Sequence, residues 1–292
     1  MPDEARCPRV PFEWLREKRT VVCMGGMDTG KTTLVRSMFE ELRNRGERVF
    51  HVDLDMGQST IGPPTTIGLE DPRGRVYLCF VGNVSPCGVV TQIRDGLVRF
   101  GGLLRRYKER RAVVDTAGLV AGTFGWLLKR MEIESLGADA AVVIDRSGES
   151  AHVVRGIREM GIDCLVLHPS GEARTRKPEE RRQYRKQLFE EYFRGARITM
   201  LSLRGRDCSP VGKAVAGPGP EASPGKKDVD TIPWEPGQVL GLLDARGFLV
   251  RLALLRRMAG ERMSLLAPTC AFRQVKSVRF GRYVIEEGPG RL

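Results

Sequence analysis

The chain has 292 residues, 41% of them hydrophobic and 29% charged, with a formal net charge of +12. That length carries one large α/β domain and a smaller one, and the composition is that of a globular protein with ample core material. No apolar run reaches the ~20 residues of a membrane helix, and Asp3, Glu4 and Arg6 stand where a secretory signal would need an apolar core. A cytoplasmic protein without a membrane partner is therefore expected. The seven cysteines (Cys7, Cys23, Cys79, Cys87, Cys164, Cys208, Cys270) form no C-x-x-C pair, which argues for a reducing cytosol and against structural zinc. Three isolated histidines, His51, His152 and His168, read as structural or surface groups. The positive balance is clustered, in Arg105, Arg106, Lys108, Arg110 and Arg111 and again between Arg174 and Arg194. Such clustering points to a polyanionic partner.

In chain order, the first strand is the apolar run 20–24, followed by Gly25-Gly26-Met27-Asp28-Thr29-Gly30-Lys31-Thr32-Thr33. This fits G-x-x-x-x-G-K-[ST], and a helical pattern over 31–45 with Leu34, Met38 and Leu42 on one face comes next. Strand, glycine-rich turn and helix start together make a nest of N–H groups for a polyphosphate, reinforced by the helix dipole. Lys31 then reaches the β- and γ-phosphates and the Thr32 hydroxyl holds Mg²⁺. Further strands are predicted over 48–52, 76–81, 112–114, 140–144 and 164–167, with helices over 89–107, 124–136 and 150–160. Continuous apolar strands alternating with amphipathic helices predict a P-loop NTPase-type α/β fold, a parallel sheet sandwiched by helices. Ligands of such sheets lie at the carboxyl ends of the strands.

Two further motifs end strands. In His51-Val52-Asp53-Leu54-Asp55-Met56-Gly57-Gln58-Ser59, carboxylates at i and i+2 project to one side of an extended segment. One can help hold Mg²⁺ through water while the other accepts a proton from an attacking hydroxyl. Val113-Val114-Asp115-Thr116-Ala117-Gly118 offers a Walker B-type metal carboxylate in Asp115, and a Thr116–Gly118 backbone able to approach the γ-phosphate. No N/T-K-x-D guanine reader follows the later strands; those places read Ile144-Asp145-Arg146-Ser147 and Leu167-His168-Pro169-Ser170.

After residue 167 a charge-rich, mostly helical segment spans 172–195, and 197–203 reads as a strand. The domains are expected to be a kinase domain over 1–205 with its lid at 172–195, a flexible linker over 206–231 rich in Gly, Pro, Ala and Lys, and a small β-rich domain over 232–292. Strands are predicted there at 238–243, 248–255, 262–266 and 282–285. Its basic residues could bind nucleic acid or could cap the core.

The three motifs at 25–33, 53–59 and 115–118, with Phe80-Val81-Gly82-Asn83-Val84-Ser85-Pro86 between them, resemble those of the polynucleotide 5′-hydroxyl kinases. These are RNA kinases related to the pre-mRNA cleavage factor and the ribosomal-RNA-processing kinases. Glu180-Arg181-Arg182-Gln183-Tyr184-Arg185 and Glu191-Tyr192-Phe193-Arg194-Gly195 are similar to that family's lid helix. The resemblance implies ATP- and Mg²⁺-dependent transfer of the γ-phosphoryl group to the 5′-hydroxyl of RNA or DNA. It implies Lys31 and Thr32 as phosphate and metal ligands and Asp55 as the base that activates the hydroxyl. Asp53 and Gln58 then support metal and substrate, and Arg182 and Arg185 reach the phosphates in the transition state. Arginines at 181, 182 and 185 share a helix face, and a guanidinium suits phosphate oxygens.

Two departures stand out. Leu119 occupies the place of an aromatic that, in eukaryotic members, stacks on a substrate base, a contact worth ~1–3 kcal/mol. Trp126, a turn or two into the next helix, reads as core. The larger members carry a β domain before the kinase core that helps hold adenine, whereas the P-loop here begins at Gly25, so GTP is kept beside ATP. The alternatives to a kinase are an NTP-binding adaptor subunit with little turnover and a GTPase-like switch.

Overall fold

The computed structural model describes residues 9–107, 109–171, 173–212, 232–269 and 271–285. A short helix, α1 (Phe12–Arg16), leads into β1 (Thr20–Gly25), an interior strand of a seven-stranded sheet. β5 (Arg111–Asp115) and β6 (Ala140–Ile144) flank β1, β2 (Val49–Asp53) lies outside β5, and β7 (Asp163–Leu167) outside β6, all parallel. The crossovers are α2 (Lys31–Asn44), α3 (Val90–Arg105), α4 (Gly122–Leu136) and α5 (Ala151–Glu159). Every residue of β1 and β6 is buried, as expected of strands covered on both faces.

The parallel expectation fails at one edge. β3 (Thr66–Glu70), a strand the apolar pattern did not reveal, runs antiparallel to both its neighbours, β2 and β4 (Val76–Phe80), giving the order β4-β3-β2-β5-β1-β6-β7. The physical reason is the connection. β3 and β4 are joined by a tight turn in which Asp71 Oδ1 accepts the N–H groups of Arg73 and Arg75 at 2.8 and 3.0 Å. A turn that short can only reverse the chain.

The second sheet has six strands in the order β8-β12-β11-β10-β13-β9. They are β8 (Arg197–Ser202), β9 (Asp207–Pro210), β10 (Gln238–Leu243), β11 (Leu249–Ala259), β12 (Arg262–Ala267) and β13 (Ser277–Val284). Two elements thus belong elsewhere than expected. Strand β8, assigned to the kinase domain, pairs along its length with β12, and β9, assigned to the linker, pairs with β13. The remaining linker, 213–231, lies outside the described residues.

This sheet packs against the edge of the first. A Cβ at Gly241 would sit 2.4 Å from the Phe80 ring, and Gly82 O accepts the N–H of Arg282 at 2.7 Å. It also carries the lid helix α6 (Pro178–Tyr192). Phe189 stacks on Tyr283 at 5.5 Å, and the Tyr192 hydroxyl accepts the Leu252 N–H at 2.9 Å. Between the two possibilities left open for the C-terminal segment, capping is what these contacts do: the segment covers the core and holds the base of the lid.

Candidate active site

The P-loop follows from its glycines. Gly25 has φ +146° and its missing side chain leaves room for Ile144 O, 2.3 Å from where a Cβ would stand; Gly30, at φ +93°, immediately precedes α2. Neither conformation suits a side chain. Thr29 Oγ1 and Lys31 Nζ both donate to Gly26 O, at 3.0 and 2.6 Å, so the Lys31 ammonium lies folded onto the loop it serves.

Register brings the three motifs together. Cys23 of β1 and Asp53 of β2 are both level with Asp115 of β5. The Thr32 hydroxyl donates to Asp115 Oδ2 at 2.5 Å, joining the helix start to the third motif. Asp115 Oδ1 is buried with no hydrogen-bond partner among the described residues. A buried carboxylate oxygen without a donor, beside a hydroxyl, is a hard-oxygen set that suits Mg²⁺, which takes one or two protein ligands and completes its shell with water and phosphate. Among the described residues no group of three or more His, Cys, Asp or Glu has the spacing of an all-protein metal site.

Asp53 does not fit the metal role expected of it. It is 1% exposed, and both oxygens serve the loop that follows. Oδ1 accepts the Asp55 N–H at 2.8 Å, and Oδ2 accepts the Thr60 N–H, the Thr60 and Ser59 hydroxyls and the Ile61 N–H at 2.5–3.2 Å. Asp53 therefore builds the segment that presents Asp55. Asp55 is half-buried, and its Oδ1 accepts the Gly57 and Gln58 N–H groups, both at 3.0 Å. Those two donors fix the carboxylate and leave Oδ2 for an incoming proton.

Crowding sets the acidities. Burial, then the neighbouring Asp55 charge, raises the Asp53 carboxyl to about 6. Burial, then Asp53, raises Asp115 to about 7, against the lowering effect of the Thr32 hydroxyl. Both values lie above the ordinary carboxylate range, so the folded protein holds these protons more tightly than the unfolded chain does. The resulting stability is fullest at low pH and declines as pH rises from about 4 to about 7. In metal-free, nucleotide-free protein, Asp115→Asn should therefore lose less thermal stability than the parent between about pH 5 and pH 8, as read by calorimetry.

The remaining expected residues divide. Thr116, expected at the substrate, is buried and donates its hydroxyl to Cys23 O at 2.9 Å, locking β5 to β1. Gly118 packs on the P-loop, where a Cβ would stand 2.8 Å from Met27 N and Cα. Gln58 Oε1 accepts Arg176 Nη1 at 2.8 Å. Arg182 and Arg185 lie on α6 as expected, and Arg185 Nε is buried without a hydrogen-bond partner. Leu119 and Trp126 pack against the large core, Trp126 over Gly156 of α5. His51 packs 5.2 Å from the Phe39 ring, with its pKa lowered to about 4 by burial and then by Arg36, while His152 and His168 are exposed.

Of the three residues that close the lid, Arg146 and Arg176 carry no site role in the sequence reading, and Arg181, grouped there with Arg182 and Arg185 for phosphate, pairs with the P-loop carboxylate of Asp28. Asp28 Oδ2 accepts the Arg176 N–H and Arg181 Nη1, each at 3.0 Å, and the Arg146 guanidinium bridges Asp28 O and the Thr175 hydroxyl. Arg176, Arg181 and Arg146 thus tie the lid to the P-loop. Only the lid helix start carried a sequence signal: Pro178 leads the helix, and Glu180 accepts the Lys177 N–H at 2.7 Å.

The model of a family described as the mRNA cleavage and polyadenylation factor CLP1 P-loop matches residues 25–195, more than half of the chain. A polyribonucleotide 5′-hydroxyl-kinase of Pyrococcus horikoshii is 30% identical over 65% of this chain and 54% of its own length. One from Pyrococcus abyssi is 26% identical over 94% of this chain and 90% of its own. The chain thus spans about half the length of the first relative and most of the second. The solved complex of Clp1p with Pcf11p has the same fold, with a TM-score of 0.69 at 12% identity over 95% of this chain and 80% of that one. A second Clp1p structure is described in terms of ATP loss in a point mutant. The likenesses to these relatives support an RNA kinase and favour it over an adaptor or a GTPase-like switch.

Proposed function

The chain belongs to the CLP1 P-loop family, and from that premise we propose that it transfers the γ-phosphoryl group of ATP to the 5′-hydroxyl of a polynucleotide, RNA before DNA. The observation that carries the proposal is the presentation of Asp55. Its Oδ1 is fixed by two backbone N–H groups at the carboxyl end of the strand beside Asp115. A GTPase needs a positioned water there, whereas a fixed, half-exposed carboxylate suits an alcohol proton.

The residues divide the work as follows. The P-loop N–H groups from Gly25 to Thr33 and the Lys31 ammonium hold the triphosphate. Lys31 leaves Gly26 O to do so. Thr32 and Asp115 would hold Mg²⁺, which would supply positive charge against the phosphate oxygens during transfer. Asp55 accepts the 5′-hydroxyl proton as that oxygen attacks phosphorus and the bond to the β-phosphate oxygen breaks. Arg182 and Arg185 from the lid stabilise charge on the transferring group. The proposed base preference is for adenine: Asp145 Oδ1, at the guanine-reader position, is already engaged by the Gly148 and Ser150 N–H groups.

The test is incubation with γ-labelled ATP, Mg²⁺ and a 5′-hydroxyl oligonucleotide. Label should move to the 5′ end; label released only as free phosphate, or none moved to RNA or DNA, overturns the proposal. The lid contacts make a separate prediction. Removing both Arg146 and Arg181 by alanine deletes the side-chain hydrogen bonds that tie the lid to Asp28 and should lower kcat more than ATP affinity, because lid closure assembles the site after the nucleotide binds. A fall in affinity alone would assign these arginines to ground-state binding.

A further inference from the structure

One ion pair beneath the site takes part in none of the roles above. Lys129 and Glu132 stand one turn apart on α4, with side chains 0% and 2% exposed and 3.2 Å between Nζ and Oε2. Burial lowers the pKa of Lys129 and raises that of Glu132, and the charge of each opposes the shift of the other. Removing two charges from water is so unfavourable that a well-packed apolar pair commonly supports a fold equally well. Stability alone therefore gives no reason for a lysine at the centre of this core.

The third contact of the pair supplies one. Lys129 Nζ donates to Ala117 O at 2.8 Å, the carbonyl that shares a peptide plane with the Gly118 N–H. A trans peptide points its C=O and N–H in opposite directions. Anchoring the oxygen inward on Lys129 therefore turns the Gly118 N–H outward. On either side the plane is constrained: Thr116 is tied to Cys23 O at 2.9 Å, and Gly118 lies against the backbone of Met27.

We propose that Lys129, with Glu132 as its counter-ion, is a positioning residue for phosphoryl transfer that sets the Ala117–Gly118 peptide so that the Gly118 N–H faces the γ-phosphate. Lys129 itself touches no substrate. Its effect passes through one peptide plane, the part of the third motif that meets the P-loop. An ammonium fits this position because its three donors can serve both Ala117 O and the Glu132 carboxylate. The geometry at Glu132, 3.4 and 3.2 Å to its two oxygens, leaves the shorter bond to the carbonyl.

The proposal rests on the kinase reading, and the parent protein assayed in parallel separates the two: no transfer by the parent overturns that reading itself. The test compares Lys129→Met/Glu132→Met with Lys129→Gln/Glu132→Gln in full-length protein. The methionine pair removes both charges and the donor without leaving a lone buried ion. It should remain folded and bind ATP, with KM for ATP within about twofold of the parent and kcat lowered at least about tenfold, since a displaced reacting group slows the chemical step. The glutamine pair, which restores an N–H donor toward Ala117 O, should recover most of that loss. Parent-like kcat in the methionine pair overturns the proposal. So does a loss confined to KM, a glutamine pair no better than the methionine pair, or a methionine pair that does not fold, which would make these residues elements of stability.

Discussion

Asp55→Asn should lower transfer of the γ-phosphoryl group by about 10²–10⁴-fold, the contribution of a positioned general base, while ATP binding stays close to that of the parent. The substitution is nearly isosteric, and the amide oxygen can still accept the Gly57 and Gln58 N–H groups that hold Oδ1. Only the capacity to take a proton is lost. Asp53→Asn is a contrasting case. Asp53 Oδ2 accepts from Ser59, Thr60 and Ile61, so its amide would place a donor among donors and unfold the loop around Asp55. Loss of activity there should come with loss of local order, detectable as faster amide exchange over 54–61. Steady-state transfer and equilibrium ATP binding measured on the same preparation decide the matter. Near-parent transfer by Asp55→Asn would remove Asp55 from the base role.

Gly118→Ala should impair both nucleotide binding and turnover. The added Cβ would stand 2.8 Å from Met27 N, Cα and Cγ, closer than real Cβ atoms approach backbone. Met27 belongs to the P-loop, whose conformation is fixed by Gly25, Asp28 and Gly30 at positive φ, so the loop has little freedom to yield without changing its N–H directions. Displacements approaching 1 Å at reacting groups can lower rates by about 10²-fold. A rise in KM for ATP together with a fall in kcat is therefore expected, and parent-like values for both would show that the two motifs do not bear on each other. The overall fold should survive, since Gly118 is half-buried in the loop beyond the end of β5 rather than in the core. Circular dichroism and thermal unfolding check that point.

The individual elements were legible where apolar spacing was strong. β1, β2, β5 and β6 coincide within a residue or two with the predicted runs, as does α2. β3 escaped because Thr66-Ile67-Gly68-Leu69-Glu70 places a glycine in the strand, where Ile61 packs so closely that a Cβ would lie 2.4 Å from its carbonyl oxygen. Such a glycine reads locally as a turn. Local pattern marks β8 as a strand but not its partner β12, so it reads as part of the kinase domain, because hydrogen-bonding partners far along the chain leave no mark on local periodicity. The closing contacts among Asp28, Arg176, Arg181 and Arg146 escaped for the same reason: they join residues 118 to 153 positions apart.

By itself the sequence determined the P-loop, the two carboxylate motifs that follow β2 and β5, and the α/β class, since each depends on short-range patterns of glycine, carboxylate and apolar residues. It also determined which residue types stand near the triphosphate. The tertiary structure alone decided how they are used. Parallel register set Asp53 beside Asp115, and burial then turned Asp53 into the organiser of its loop and left Asp115 Oδ1 open to a cation. Packing of the second sheet against β4 and α6 placed the lid, and the buried Lys129 acquired its partner carbonyl through the same folding. Hydrogen-bond satisfaction in a low-dielectric interior is a property of assembled surfaces, and no stretch of sequence carries it alone.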